Sequence, residues 1–199
     1  MTDFFEVVHR QRACRSFSDA PVDDESLARV LDAATFAPSA ENRQPWVFVV
    51  VRDPELRHQV HDLTERAWAE GGRAFSEGRI DAALLDEVDR GIAGGGYRGA
   101  PVLVVVAADI ERCLEATIGS SIFPATQNLL LAATALGLGS ALTTLTTVFA
   151  EDLRALLALP ATVVPQVVVP IGHPTQPLGP PRREPFGART SRDRYGTPW

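Results

Sequence analysis

Residues 119–136 are the most constraining segment of this sequence, because they are apolar on almost every side of the helix that their spacing predicts. One face of that helix carries Ile122, Ala125, Leu129, Ala132, Ala133 and Leu136. The remaining surface holds Leu130, Leu131 and Ala135. A helix that is apolar nearly all round has to be covered on all sides. In a chain of 199 residues, a second subunit is a reasonable source of that cover, so we expect a homodimer.

Three further apolar segments predict strands. Residues 46–51 and 101–108 are continuous and rich in β-branched side chains, which is typical of strands buried on both faces. Residues 163–171 have the same character despite Pro165 and Pro170. A shorter strand is expected near residues 140–145.

Helices are predicted before and between these strands. Helical spacing covers residues 3–10, a segment that starts after Asp23, a segment from Pro54, and a segment around Phe149. Asp23 is expected to cap its helix, since a carboxylate at that position accepts free backbone N–H groups. The resulting order of elements predicts an α+β fold in a single domain over residues 1–199.

Two segments lack this regularity. Residues 71–99 contain eight glycines, a density that favours a mobile connection and therefore a lid, with one or two helical turns around 80–90. Residues 174–199 contain six prolines and five arginines without periodicity. Such a tail either hangs free or lies across another surface.

The charged residues exclude several classes of function. All 19 basic residues are arginine, so no lysine is available for a Walker A loop, a pyridoxal Schiff base or a nucleophile. A net charge of −6 argues against binding to nucleic acid or to anionic membranes. The sequence also lacks a secretory signal pattern and an apolar stretch of membrane-spanning length, which favours a cytoplasmic protein.

Cysteine and histidine spacing predicts no metal site. Cys14 and Cys113 are far apart and form neither a ligand pattern nor a disulfide framework. His58 and His61 lie three residues apart on a predicted helix and could share a metal, but no carboxylate-rich or thiolate-rich pattern accompanies them. We expect both to lie on the solvated face of that helix.

Residues 10–17 place three arginines within six positions, directly after the first predicted helix. Guanidinium groups are planar, bidentate donors that suit phosphate, so the segment is a candidate anion site. The alternative is an ordinary solvated surface charge, which the segment alone would favour.

Residues 37–46 connect a predicted helix to a predicted strand and carry the carboxamides of Asn42 and Gln44. Each carboxamide both donates and accepts, and Pro38 and Pro45 stiffen the loop, so the loop could hydrogen-bond the edge of a planar heterocycle. The alternative is a connection built from common turn residues, and taken alone the two interpretations are equally favoured.

In their order and separation, these two segments resemble motifs of the FMN-dependent nitroreductase family. Residues 11–17 are similar to its R-R-S-x-R-x-F stretch, and residues 37–46 match A-P-S-x-x-N-x-Q-P-W. Residues 99–101 with the strand after them, residues 125–139 and the tail motifs around Arg183 and Arg194 also resemble that family. The resemblance spans essentially the whole chain.

The resemblance implies a fold and a cofactor site. It implies a central mixed β-sheet flanked by helices, and an obligate homodimer whose residues 174–199 embrace the partner as a swapped tail. Arg12 and Arg183 would hold the FMN phosphate or ribityl chain, and Arg15 would support the flavin electrostatically at its pyrimidine edge. The other implied FMN-binding residues are Ala13, Cys14, Pro38, Ser39, Asn42, Gln44, Thr143, Thr144 and Leu145.

The resemblance also implies an activity. NAD(P)H, as NADPH or NADH, would reduce the flavin, which would then reduce a nitroaromatic, quinone or similar flat aromatic acceptor by a ping-pong mechanism. Dehalogenating, azoline-oxidising and flavin-fragmenting enzymes of the same scaffold are alternatives. So is a flavin-binding protein without turnover, because Gln11 and Ala13 replace the arginine and serine of the family pattern.

Overall fold

The computed structural model describes residues 3–199 as one α+β unit. Its helices are α1 (Phe4–Arg10), α2 (Asp24–Thr35), α3 (Pro54–Ala67), α4 (Arg73–Ser76), α5 (Ala82–Gly91), α6 (Ile118–Ala135) and α7 (Ala150–Leu156). Its strands are β1 (Trp46–Val51), β2 (Val102–Asp109), β3 (Gly139–Ser140) and β4 (Val163–Gly172). A π-helical turn at Trp68–Gly72 joins α3 to α4, and 3₁₀ turns include Ala40–Asn42, Gly96–Gly99 and Leu145–Phe149.

The strands form one sheet in the order β1-β2-β4-β3, with antiparallel pairing between neighbours. A mixed sheet is predicted, whereas the four named strands pair antiparallel; a parallel pairing occurs as an isolated bridge between Ala13 and Ser140 of β3. The strand expected near residues 140–145 is two residues long, and Thr143 makes a separate bridge to Val168.

Strand β2 divides the core in two. Val102, Val104 and Val106 face a cluster that includes α2 and α6, whereas Leu103 and Val105 face a second cluster that includes α3 and α5. This alternation follows from the period of two along a strand. The prediction of a strand buried on both faces is therefore confirmed for β2. It is wrong for most of β1, where residues 46–50 are half-buried, because β1 is an edge strand.

The helix boundaries follow local capping chemistry. The Asp23 carboxylate accepts the Ser26 N–H at 2.7 Å, which confirms the predicted cap of α2. Asp53 and Asp81 cap α3 and α5 in the same way. Each side chain satisfies a backbone donor that the first helical turn leaves without a partner.

Helix α6 buries one side in this chain. Ile122, Ala125, Leu129 and Ala133 are fully buried in the core, as their spacing predicts. Phe123 on the outward side is 44% exposed. Within residues 3–199, no helix is long and apolar enough to cross a bilayer.

Candidate functional site

Residues 11–17, which we call the arginine segment, follow α1 as an extended stretch that runs beside β3 and carries Arg12 and Arg15. Backbone bonding fixes it there, since the Cys14 N–H donates to the Ser140 carbonyl at 2.9 Å. The Cys14 side chain points into the core, where burial raises the pKa of its thiol. The buried Cys14 side chain thus packs the segment against the core, while Arg12 and Arg15 face away from it.

A cavity of about 730 Å³ opens over this segment, and we call it the arginine cavity. Its polar lining consists of four arginines, two carboxylates and two amides, contributed by Arg12, Arg15, Arg182, Arg183, Asp81, Glu87, Gln11 and Gln127. Ala13 also lines it. The arginine segment, α5, α6 and the start of the tail therefore meet at one place.

Glu87 of α5 binds both arginines of the segment. Its carboxylate lies 2.7 Å from Nη1 of Arg15, and 3.3 and 3.4 Å from Nη2 of Arg12. The side chains of Arg15, Arg12 and Glu87 are 19%, 29% and 31% exposed. These pairs are partly shielded from water, so each charge acts strongly on its neighbours.

Two glycines allow Arg15 to sit this close to α5 and to the turn after it. A Cβ at Gly91 would lie 2.7 Å from Cβ of Arg15. A Cβ at Gly96 would lie 2.1 Å from the Arg15 carbonyl oxygen. Only glycine permits such an approach of backbone to backbone.

Tyr97 and His61 form the layer behind Arg15. Burial raises the pKa of Tyr97, and the positive charge of Arg15 opposes that shift. The His61 ring stacks on Tyr97 with 6.3 Å between ring centroids and 20° between planes. Burial lowers the pKa of His61 to about 4. His61 is thus neutral near pH 7, which avoids a buried positive charge behind Arg15.

Within the second predicted segment, residues 37–46, residues 38–45 precede β1 and form what we call the amide loop. The Gln44 N–H donates to Oγ of Ser39 at 3.0 Å, and Nε2 of Gln44 donates to Oδ1 of Asn42 at 3.2 Å. Glu41, Asn42 and Gln44 have φ values of 53°, 53° and 50°, a left-handed conformation that non-glycine residues seldom adopt. The loop is therefore a tight, locally bonded structure whose amide side chains are exposed.

The amide loop sits on the start of α6 rather than at the arginine cavity. The Ala40 N–H donates to Oγ of Ser121, which is fully buried. Pro38 is exposed and Ser39 half-buried beside this contact. Within one chain, the loop does not line the arginine cavity.

Residues 143–145 occupy a third place, next to β4. The Thr143 N–H donates to the Val168 carbonyl at 3.0 Å, and Oγ1 of Thr143 accepts the Leu145 N–H at 3.2 Å. Thr144 is exposed, while Leu145 packs against the second core cluster. These residues do not line the arginine cavity of the same chain either.

The sequence model of the Nitroreductase family matches residues 8–173. The chain belongs to the nitroreductase family. A relative from Archaeoglobus fulgidus, named as a candidate NADH dehydrogenase/NAD(P)H nitroreductase, is 30% identical over 181 residues and 87% of either chain.

Two solved structures support the nitroreductase fold over almost the whole chain. A candidate nitroreductase from Desulfovibrio desulfuricans, solved in complex with FMN, has a TM-score of 0.72 and 27% identity, covering 98% of this chain and 99% of that one. Oxidized iodotyrosine deiodinase, bound to FMN and 3-iodo-L-tyrosine, has a TM-score of 0.73 and 25% identity, covering 98% and 100%.

In this nitroreductase-family chain, the predicted site residues fall into three groups. Arg12, Ala13, Arg15 and Arg183 line the arginine cavity. Cys14 lies buried behind them. The amide loop and residues 143–145 lie elsewhere, so one chain does not bring all the predicted residues together.

Sequence reasoning missed Glu87, Gln127 and Arg182, which also line the arginine cavity. Arg182 could have been predicted from the sequence, because it directly precedes Arg183, which was predicted. Glu87 had none, since it lies 72 residues from Arg15 in a segment interpreted as a lid.

The interpretation of the histidine pair was half wrong. His58 is exposed as expected, but His61 is buried, because the turn at Gly96–Gly99 brings Tyr97 over it. Among residues 3–199, no group of three or more His, Cys, Asp or Glu side chains is arranged to hold a metal ion.

Proposed function

We propose that the protein is a flavin-dependent oxidoreductase that binds FMN in the arginine cavity. NAD(P)H is the electron donor, and a flat nitroaromatic or quinone is the acceptor. The observation that carries this proposal is the convergence of four arginines on one cavity in a nitroreductase-family chain. The FMN in two solved structures of similar fold supports the same cofactor here.

The residues of the cavity fit FMN in size and charge. A volume of about 730 Å³ lies within the range of roughly 300–1,000 Å³ that is usual for small-molecule sites. Guanidinium groups suit a phosphate because their paired N–H donors match its oxygens. We assign the phosphate or ribityl chain to Arg12 and Arg183, with Ala13 beside them.

Arg15 supplies the electrostatic support of the reaction. FMN, when bound, supplies the hydride chemistry, so the protein needs no side-chain nucleophile. Arg15, which lines the cavity, would hold the pyrimidine edge of the flavin, and its positive charge would stabilise a reduced ring there. A fixed, partly buried donor in such a position contributes roughly 3–4 kcal/mol. Donor and acceptor use the same pocket in turn, which gives a ping-pong mechanism.

We further propose that the site is completed in a homodimer. The outward side of α6 exposes Phe123, and Phe36, at the end of the helix α2 that packs against α6, is 79% exposed. Such aromatic exposure marks a surface that a partner covers. The amide loop, with Asn42 and Gln44, is attached to this same helix through Ser121, and we propose that it reaches the arginine cavity of the partner. The tail of residues 174–199 would cross to the partner, and residues 71–99 would cover the substrate.

Sedimentation velocity at micromolar concentration tests the dimer. We expect a single species of twice the mass of the 21.5 kDa chain. A monomer at that concentration would contradict the shared site, and Phe123→Asp should convert a true dimer into monomers.

An anaerobic titration with NADPH and then with NADH tests the activity. We expect a yellow protein whose flavin absorbance bleaches with one equivalent of donor per site and returns when a quinone is added. A yellow protein that does not bleach would indicate a flavin-binding protein without turnover. A protein that stays colourless after FMN is added would refute the proposal.

Reductive dehalogenation is a second candidate, favoured by the similarity to iodotyrosine deiodinase. The reduced protein would then release iodide from 3-iodo-L-tyrosine. Iodide release faster than quinone reduction, under the same donor, would favour this activity over the first.

A further inference from the structure

Among residues 3–199, Glu87 is the one acidic side chain of the arginine cavity that bonds arginines assigned to the cofactor, and it bonds two of those three, Arg12 and Arg15. It contacts Arg15 at 2.7 Å and Arg12 at 3.3 Å. Both arginines are therefore occupied by an internal carboxylate in the same cavity that the proposed anionic ligand enters.

The position of Glu87 is fixed by the helix that carries it. Asp81 caps the start of α5 by accepting the Leu84 N–H at 2.8 Å, and Leu85 is buried. On the far side, Asp89 accepts from Nε1 of Trp68 at 2.7 Å and from Nε of Arg73 at 3.2 Å. The carboxylate of Glu87 is thus held against the arginines by the fold of its own helix.

An internal carboxylate changes what the cavity can bind. Glu87 cancels one of the two positive charges on Arg12 and Arg15, and it uses donors that an incoming phosphate needs. Like charges brought together at partly buried positions repel strongly, since water screens them less there. An anion in this cavity must therefore displace Glu87 or share the guanidinium groups with it.

We propose that Glu87 is an internal counter-ion that competes with the phosphate of the ligand for Arg12, and so sets the affinity of the cavity for phosphate-bearing ligands. The proposal rests on the proposed function for the identity of the ligand. The competition itself depends only on the ion pair between Arg12 and Glu87 and on the shared cavity.

The test uses Glu87→Gln, because glutamine keeps the shape and one acceptor oxygen while removing the charge. Its matched control is Asp86→Asn, which changes the net charge equally at the neighbouring exposed position of α5. Calorimetry of the flavin-free full-length protein measures the Kd of FMN, and of riboflavin, which has the same ring system but no phosphate.

We expect Glu87→Gln to bind FMN about tenfold more tightly than the wild type, with riboflavin changed less than about threefold. Asp86→Asn should bind both ligands as the wild type does. Unchanged or weaker FMN binding in Glu87→Gln would overturn the proposal, because the carboxylate would then be positioning the arginines for the ligand. An equal gain for riboflavin would also overturn it.

Inorganic phosphate separates this proposal from the proposed function. The rise in melting temperature that phosphate causes is measured for the three proteins without any flavin. A larger rise in Glu87→Gln than in the wild type and Asp86→Asn supports the proposal even if no flavin binds. Equal rises in all three proteins would overturn it.

Discussion

The arginine cavity and the amide loop are organised in opposite ways. Arg12 and Arg15 are held by Glu87, which lies 75 and 72 residues away in the sequence. In the loop, Ser39 and Gln44 are bonded across five residues, and Asn42 and Gln44 across two. The cavity therefore depends on tertiary packing, whereas the loop keeps its internal shape through local bonds and uses long-range bonds, such as that from the Ala40 N–H to Ser121, for its attachment to the rest of the fold. A change in packing behind Arg15 should therefore disrupt the arginine cavity and leave the structure of the amide loop intact.

Gly96→Ala should have the largest effect on stability and on FMN binding, because it disrupts the packing of the arginine cavity. The added Cβ would meet the Arg15 carbonyl oxygen at 2.1 Å, so the turn and the arginine segment must separate. We expect the free energy of unfolding to fall by about 3 kcal/mol, measured by urea denaturation. FMN binding should be lost along with it, because the pairing of Arg15 with α5 depends on the same approach.

Gly71→Ala is the matched control for this change. It lies in the same glycine-rich segment, and an added Cβ there meets nothing within 4 Å. We expect stability within about 0.5 kcal/mol of the wild type and unchanged FMN binding. Similar losses in the two variants would show that the segment tolerates no alanine, and the close approach at Gly96 would not be the cause.

Acidification should lower the free energy of unfolding through His61, which packs on Tyr97 behind Arg15. The pKa of His61 is lowered from 6.5 to about 4 in the folded chain, so between these values the unfolded chain binds the proton and the folded chain does not. Stability therefore rises with pH across this window and is lost as pH falls from 6.5 to 4. The His61 contribution amounts to about 3 kcal/mol.

This contribution is measured by urea denaturation between pH 4 and 7, in which the pH dependence of the free energy of unfolding is compared between the wild type and two variants. Replacement of His61 by Gln should remove that part of the pH dependence, while His58→Gln, at an exposed position of the same helix, should retain it. Carboxylates also titrate near pH 4, so only the difference between each variant and the wild type is informative. Identical pH profiles for all three proteins would contradict a neutral, buried His61.

The sequence predicts the core of this protein well and its site only in part. Residues 102–108 were recognisable as a buried strand because β-branched side chains run on without a break, and Asp23 was recognisable as a cap. These features depend on neighbours within a few positions. The half-buried state of β1 was missed, because it depends on the place of the strand in the sheet.

Long-range pairing explains what the sequence could not supply at the site. The arginine segment and the amide loop were recognisable motifs, yet nothing local links Arg15 to Glu87 or His61 to Tyr97. In the sequence, Gly91 and Gly96 contributed to the prediction of a mobile segment. In the structure, the same two glycines permit close packing against Arg15. The mobility of residues 71–99 as a lid stays a prediction.

Arg12→Gln should weaken ligand binding in the arginine cavity without disturbing the amide loop. Loss of a charged donor to phosphate should weaken FMN binding roughly tenfold to a hundredfold, with riboflavin little affected. Arg10→Gln is the control, because Arg10 pairs with Glu6 on the surface of α1 at 3.1 Å. Calorimetry with both ligands checks this, and equal losses for FMN and riboflavin would rule out a phosphate role for Arg12.

Ser39→Ala should have the smallest effect, since it removes one bond of the amide loop. The Gln44 N–H loses its acceptor at 3.0 Å, but both residues lie where water can replace it. We expect a loss of about 1 kcal/mol or less in urea denaturation. Ser120→Ala, at an exposed position of α6, should cost no more than that. Thermal stabilisation by inorganic phosphate should be retained in Ser39→Ala and lost in Gly96→Ala. If Ser39→Ala also abolished it, the loop and the arginine cavity would be coupled, and the same measurement on the monomeric Phe123→Asp variant would show whether that coupling lies within one chain or across the proposed dimer.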